Sequence, residues 1–212
     1  MTAINDIDHL AKNAIVGVLD IETGSLRNKA HIFTIGLVIG NVVTGEILGE
    51  YYYRVSAVDQ EGRIIDNDTI VGFWGDSSKV SLEAQEEIFN TMLERMSLSD
   101  ALLKLNSDIV EFKNRHKLKR IDIMGNGSEF DNAIVIEACH EFDIKPAWSH
   151  SNNQSLRTLV WLGRLALGID PKYDIPFDGV VHNALDDCRH EFKYAAAIVK
   201  SLLSAIKGGG VN

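Results

Sequence analysis

Cysteine is scarce in this chain. Among 212 residues only Cys139 and Cys188 are thiols, far apart and each inside a stretch with helical periodicity. That excludes a disulfide scaffold and offers no cysteine spacing suited to a metal, and it reads as two buried thiols in a reducing compartment, the cytoplasm. Long apolar runs are missing too. No stretch reaches 18 consecutive apolar residues, and the first twelve residues are polar with no apolar signal core, so neither a membrane contact nor export is expected. Positive charge is in short supply: 21 Lys and Arg against 30 Asp and Glu give a net charge of −9. Such a balance argues against a broad basic face gripping duplex nucleic acid through many phosphates. It leaves room for a nucleic-acid enzyme, because carboxylates that hold metal ions carry charge that the ions offset. Internal repeats and low-complexity blocks are also lacking.

What is present fits one α/β domain. A hydrophobic content of 45% in 212 residues is that of a folded globular protein, expected as a single unit over residues 1–207 with a loose glycine-rich tail at 208–212. The stretch Ile15 to Leu19 is an unbroken apolar run, suited to a strand buried on both faces, and it ends in Asp20-Ile21-Glu22-Thr23-Gly24. Side chains alternate along an extended chain, so Asp20 and Glu22 project from one face. Two carboxylates at the end of a core strand repel each other and resist desolvation, which calls for a hard divalent ion or a raised pKa. Alone, such a pair more often caps a strand in solvent.

Downstream, Ile32 to Gly40 and Glu46 to Val55 alternate and are joined by short turns, a β-meander that must be antiparallel. Residues 56–79 form a polar loop with one apolar island, Thr69 to Trp74, whose Phe73 and Trp74 either stack on bases or plug the loop onto the core. Ser81 is an N-cap candidate for a helix that buries Leu82, Phe89, Met92, Leu93 and Met96. Ser97 or Ser99 opens another, with Leu102, Leu105, Ile109 and Phe112 spaced for burial and a basic cluster from Lys113 to Arg120 at its end. Ile121 to Gly125 is a strand, followed by a turn and a helix over Ala133 to Phe142, with Asp131 at its start. Pro146 to Ser149 reads as a short strand, Gln154 to Leu167 as a helix, and Gly168 to Gly179 as a lid-like loop. His182 to Cys188 opens the last helix, whose stripe Ala184, Cys188, Phe192, Ala195, Val199, Leu202 and Ile206 could serve a core or a second copy of the chain.

The carboxylates, counted together, carry a resemblance. Asp20-Ile21-Glu22-Thr23, Phe130-Asp131, and His182-Asn183-Ala184 with Asp187 five residues after the histidine resemble, in order, the three motifs of the DEDD superfamily of 3′-to-5′ exonucleases, in its His-containing branch. The Gly72-Phe73-Trp74 island, Gln154 to Thr158 and Asp178-Gly179 look like the bacteriophage-type exodeoxyribonuclease A group and its exoribonuclease relatives, so the similarity spans about Ile15 to Val199. One departure stands out: Ser155 lies where the group carries Asp.

This resemblance implies an RNase H-like α/β fold: a mixed five-stranded sheet of order 3-2-1-4-5 with helices on both faces. It implies two divalent cations, Mg²⁺ or Mn²⁺, with Asp20 bridging both, Glu22 and Asp187 completing one site, and Asp131 helping to hold the other. His182 would take the proton from the attacking water. Thr23, Phe73, Trp74 and Arg157 would face substrate, the stacking role falling more to Trp74. The implied partners are single-stranded DNA or RNA 3′ ends, DNA slightly favoured, with nucleoside monophosphates released. An exoribonuclease that trims RNA ends is the alternative, and a non-catalytic nucleic-acid-binding module on the same fold is the reading from another class. Many relatives of the fold are homodimers. Asp186 is set aside on motif register, and His31, His140 and His150 read as structural or surface residues.

Overall fold

The computed structural model describes residues 14–208. The polar N-terminal segment and residues 209–212 of the expected tail lie outside the described residues. Five strands form one sheet, in the order β3-β2-β1-β4-β5. The apolar run becomes β1 (Ile15–Thr23), antiparallel to β2 (Ile32–Asn41), which is in turn antiparallel to β3 (Glu46–Arg54). Strand β4 (Asp122–Gly125) lies parallel to β1, and β5 (Asn153–Ser155) parallel to β4. The mixed sheet expected from the sequence is therefore the one observed.

Helices cover both faces, and the alternation along β1 decides which residues each face receives. Leu19 and Ile21 join β2 and β3 residues in a core with α3 (Leu98–Arg115) and α4 (Asp131–Glu141). Val16 and Val18 face the other way, into a core with α5 (Leu156–Leu167) and α7 (Ala184–Gly208). By the same alternation Asp20 and Glu22 continue the Val16 and Val18 side, so the strand delivers its two acids beneath the start of α7.

Glycine allows that approach. Gly36 on β2 is paired with Asp20, and a Cβ at Gly36 would run into the backbone of Ala184 and come 2.7 Å from the Leu185 nitrogen. Gly40 makes similar room for Phe192. Ala184, Cys188, Phe192, Ala195 and Ile198 of α7 are fully buried or nearly so. Of the expected stripe, Val199 and Leu202 are partly buried against the same core and Ile206 is 73% exposed, so all but its end is spent on the sheet and gives no support for a homodimer. The helix runs through Gly208, one residue beyond the expected domain end. Cys139 and Cys188 are free and buried, and no described helix is long and apolar enough to cross a membrane.

Several local expectations are corrected. The helix after Ser81 is only α2 (Leu82–Phe89) and buries Ala84 and Ile88, while Met92 is 89% exposed. Ser81 does cap it, accepting from the Ala84 N–H at 3.2 Å. Asn90 then leaves the helical region (ψ 108°), and its side chain accepts from the Met92 N–H, an Asx turn that competes with a further helical turn. The short strand expected at Pro146 to Ser149 falls instead on Asn153–Ser155, which is polar and carries no hydrophobic signature. Trp148 anchors the preceding segment by donating Nε1–H to Asn153 Oδ1 at 2.7 Å. The helix expected from Gln154 begins at Leu156. Within the long loop, α1 (Asn67–Thr69) continues into a π-helical turn at Ile70–Trp74, and the lid-like loop holds the single turn α6 (Pro171–Asp174). In α3 the burial of Leu102, Leu105, Ile109 and Phe112 is as expected, with Ser97 as N-cap. At its basic end Arg115 pairs with Glu111 and His116 stacks on Phe112 at 4.2 Å, while Lys117, Lys119 and Arg120 are exposed.

Candidate active site

Three separated pieces of chain converge at one end of the sheet. Strand β1 brings Asp20, partly exposed, and Glu22, buried. Asp131 opens α4 just past the end of β4, where Gly125 lets it close in: a Cβ there would come within 3.0 Å of the Asp131 carboxylate. The start of α7 supplies Asp187, preceded by His182. One ligand atom from each of Glu22, His182 and Asp187 lies within 4.8 Å of the others.

The His182 position is enforced by the backbone. Its φ of +67° is a left-handed conformation uncommon for a side-chain-bearing residue. Asp187 Oδ2 accepts the His182 N–H at 2.9 Å, Asp186 Oδ2 accepts the Val180 N–H at 2.9 Å, and Asn183 Oδ1 receives the N–H groups of Leu185 and Asp186. Asn183 therefore caps α7, and the five-residue spacing between His182 and Asp187 is a closed turn that folds the imidazole back over the helix start. Asp186 also pairs with Arg189, so the adjacent acid is structural, as its register implied. His31 is buried and bonded to the Ala57 carbonyl oxygen, away from this cluster.

Electrostatics mark the cluster as unfinished without a cation. Burial pushes the carboxyls of Asp20 and Glu22 well up, and their acidic neighbours add to it: Asp131, Glu22, Glu191 and Asp187 on Asp20, with Asp187, Asp131 and Glu191 on Glu22. Asp131 is pushed up to about 7 by burial, against the opposing pull of the backbone N–H groups of Asp131, Ile21 and Asn126 and the charge of Arg157. Asp187 is also pushed up to about 7 by burial, opposed by the His182 N–H. Burial lowers the His182 imidazole below its ordinary value, keeping it neutral near pH 7 and free to accept a proton. Carboxylate oxygens with one imidazole suit a hard divalent ion. The fit is good: removing the mutual repulsion is what such an ion would do here.

Beside the acids opens a cavity of about 440 Å³ lined by Ile21, Glu22, Thr23, Leu26, Asp68, Thr69, Phe73, Trp74, Phe130 and His182. Its aromatic wall differs from expectation. Trp74 is 1% exposed, packs with Phe33, Val80, Ala84 and Ile88, and donates Nε1–H to the Thr23 carbonyl oxygen at 2.9 Å. It fixes the end of β1 and has no free face on which a base could stack. The wide π turn sends Trp74 inward and leaves half-buried Phe73 at the cavity, its ring edge-on to His182 with centroids 5.0 Å apart. Thr23 spends its hydroxyl on the Ser25 carbonyl oxygen at 2.8 Å, so it reaches the cavity as wall rather than as donor. Arg157 lies on the Asp131 side of the site, where its charge lowers the Asp131 pKa, and pairs with Glu129 at 3.2 Å, both exposed. Ser155, the residue that departs from the group's pattern, ends β5.

Two groups here were not singled out from the sequence. Lys172, on α6 in the lid-like loop, lowers the pKa of Asp187, and the His190 ring bonds to its carbonyl oxygen at 3.1 Å, tying the loop to α7. Glu191 is a further buried acid among the others. Its signal was available: it follows Ala184 by seven residues and Cys188 by three, a charge placed on the buried stripe.

Comparison with known proteins points the same way. The family model described as the 3′-5′ exoribonuclease Rv2179c-like domain matches residues 17–199. No curated protein matches the chain. Among solved structures, the nuclease domain of 3′hExo, a DEDDh family member bound to rAMP, is similar with a TM-score of 0.56 and 14% identity, over 92% of this chain and 93% of that one. E. coli exonuclease I in complex with a dT13 oligonucleotide is similar with a TM-score of 0.64 and 12% identity, over 92% of this chain and 43% of that longer one. A 3′-exonuclease that recognises the 3′ end of a histone mRNA stem-loop has a TM-score of 0.51 at 15% identity, over 92% and 83% of the two chains. At these identities the structural likeness speaks for the fold.

Proposed function

The chain belongs to the 3′-5′ exoribonuclease Rv2179c-like domain family, within the DEDDh 3′-5′ exonucleases, and on that premise we propose that it trims single-stranded RNA from the 3′ end, releasing nucleoside 5′-monophosphates. The observation that carries the site is the convergence of Glu22, His182 and Asp187 within 4.8 Å beside a nucleotide-sized cavity. The family description moves the balance from DNA, which the motifs alone slightly favour, towards RNA. DNA 3′ ends are the second reading, since the same acids serve either polymer and only contacts to the 2′-hydroxyl distinguish them.

The residues divide the work as follows. Asp20, Glu22, Asp131 and Asp187 would hold two divalent cations, Mg²⁺ or Mn²⁺. Bound there, the cations supply activation of water and neutralisation of charge at the leaving 3′-oxygen. His182, neutral and aimed at Glu22 and Asp187, accepts the proton of the attacking water. Asp187 has a second task, holding the His182 backbone through its N–H. Phe73 and Leu26 form the apolar wall for the terminal base, and Trp74 keeps that wall and the end of β1 in register. Arg157 meets phosphate at the rim.

The test is digestion of 3′-labelled RNA and DNA of one sequence, single-stranded and duplex, in Mg²⁺ or Mn²⁺, with product analysis. Mononucleotide release from single-stranded RNA is expected, abolished by EDTA and lowered by at least ~10²-fold in His182→Ala, the scale of a lost general base. Full activity in EDTA or in that variant would overturn the catalytic reading. Faster DNA digestion would reverse the substrate order, and tight binding with no release would favour a binding module.

A further inference from the structure

The face of α7 that meets the sheet carries more acid than four carboxylates require. Glu191 lies one turn beyond Asp187, is 4% exposed, and its Oε2 has no hydrogen-bond partner. Tyr194, seven residues beyond Asp187 and so on the same helical face, is equally buried, and its hydroxyl is also unpartnered. Next to Asp131 in the chain, Asn132 Oδ1, at the start of α4, is a third buried polar atom without a partner. Among the described residues Glu191 makes no salt bridge. Burial and the charges of Asp131 and Asp187 work against its ionisation, and only Lys172 and a hydrogen bond from the Asn126 side chain ease it. Burial pushes the Tyr194 phenol up, and the charges of Glu191, then Asp20, Asp131 and Asp187, add to it.

A buried carboxylate without a partner is costly, and an apolar residue would fit the stripe at lower cost. Unpartnered buried oxygens around one acid cluster are what the inner wall of a hydrated ion site leaves behind when the ion and its water are taken away. We propose that Glu191 is a fifth carboxylate of the ion site, a positioning residue whose Oε2 holds a water of the ion shared by Asp20 and Asp131, with the Tyr194 hydroxyl as that water's second anchor. The ligand class is a hydrated divalent cation, the kind that keeps several waters when bound by carboxylates. This inference rests on the two-ion reading above. It assigns Glu191 to the weaker, more hydrated of the two ions, and it explains a charge kept on the most buried stripe of the molecule.

The test is Mn²⁺ titration of the whole protein, following free Mn²⁺ by electron paramagnetic resonance and heat by calorimetry, with urea midpoints in EDTA alongside. Wild type binds two ions. In Glu191→Gln the tighter ion stays, the weaker one loses about 10–100-fold in affinity as when an outer-shell partner is removed, and the EDTA midpoint holds or rises because a repelled buried charge is gone. Tyr194→Phe loses a smaller factor on the same ion. Glu191→Gln binding both ions within two-fold of wild type overturns the inference, as does a lowered EDTA midpoint with unchanged affinity, the mark of a purely structural residue. If Glu191→Gln fails to fold, unchanged affinity for both ions in Tyr194→Phe and Glu191→Asp overturns it equally. Wild type binding no ion overturns the two-ion reading itself, and this inference with it.

Discussion

Replacing Gly36 by alanine tests how tightly the fold and the chemistry are joined. Gly36 pairs with Asp20 across β1 and β2, so its missing side chain would point to the face from which Asp20 emerges. The first turn of α7 occupies that space: an added Cβ would collide with the Ala184 carbonyl and sit 2.7 Å from the Leu185 nitrogen. Ordinary contact there is about 3.5 Å, so α7 must retreat by roughly 1 Å, and backbone cannot rotate aside as a side chain would. Overpacking of this kind costs about 1–3 kcal/mol, which for a chain of this size lowers Tm by about 2–12 °C. The retreat carries His182 and Asp187 away from Asp20 and Glu22, and a displacement of about 1 Å is worth about 10²-fold in rate. The expected result is a protein folded at 25 °C whose kcat, from initial rates of mononucleotide release at saturating single-stranded substrate, falls about 10²-fold. Ile109→Val is the comparison. It removes a methyl from α3 on the far face of the sheet, costs about 0.5–1.5 kcal/mol, and leaves kcat unchanged. A Gly36→Ala enzyme with kcat within about three-fold of wild type would refute the claim that β2 sets the distance between the two halves of the site.

Stability without metal should fall as pH rises. Asp131 is raised from 3.8 to about 7, so between those values the folded chain keeps a proton that the unfolded chain has lost; stability declines across that window and then levels, by about 4 kcal/mol for this group at about 1.4 kcal/mol per pH unit. Urea midpoints in EDTA at pH 5 and 8 read the upper part of that window, about 3 kcal/mol for this group; Asp131→Asn should flatten the slope, and a flat or rising wild-type profile would contradict the burial argument. Saturating Mn²⁺ should reverse the trend, because only the ionised acids bind it. The two aromatics should separate cleanly. Trp74→Ala opens a hole in the core and breaks the bond to Thr23, costing about 3–5 kcal/mol, whereas Phe73→Ala, at the cavity, should raise KM about ten-fold with Tm nearly unmoved. Equal effects of the two on KM and on Tm would return a stacking role to Trp74.

Legibility in the sequence followed the strength of local patterns. The strand carrying Asp20 and Glu22 is a short run of Ile, Val and Leu that favours a buried strand, and Leu102, Leu105, Ile109 and Phe112 recur at helical spacing behind a serine cap, so both elements could be read directly. The order of the strands came from resemblance, because periodicity alone cannot say that β4 lies beside β1. Failures cluster where a few polar contacts outweigh pattern. One Asn90 side chain ends α2 and puts Met92 in solvent. Strand β5 is three polar residues recruited by pairing with β4. Trp74 and Phe73 are neighbours of like chemistry, and which of them turns inward depends on one extra residue in a π turn, invisible to composition. Glu191 escaped because a glutamate in a helix ordinarily faces water, though its place among Ala184, Cys188 and Ala195 contradicted that.

The overall charge now has a physical place in the mechanism. Asp131 and Asp187 both sit in the first turn of a helix, where backbone N–H groups favour a carboxylate by roughly 0.3–1 kcal/mol. That preference is overwhelmed, since both are still raised to about 7 by burial. The fold therefore holds several acids in a state that opposes its own stability, and it does so with glycines at 36 and 125 that allow the backbones to close in. Such an arrangement persists when the ligand that relieves it is bound in the working state. A net charge of −9 and a nucleic-acid substrate are then compatible: the clustered acids suit cations, and cations bound there would offset that charge where a phosphodiester approaches.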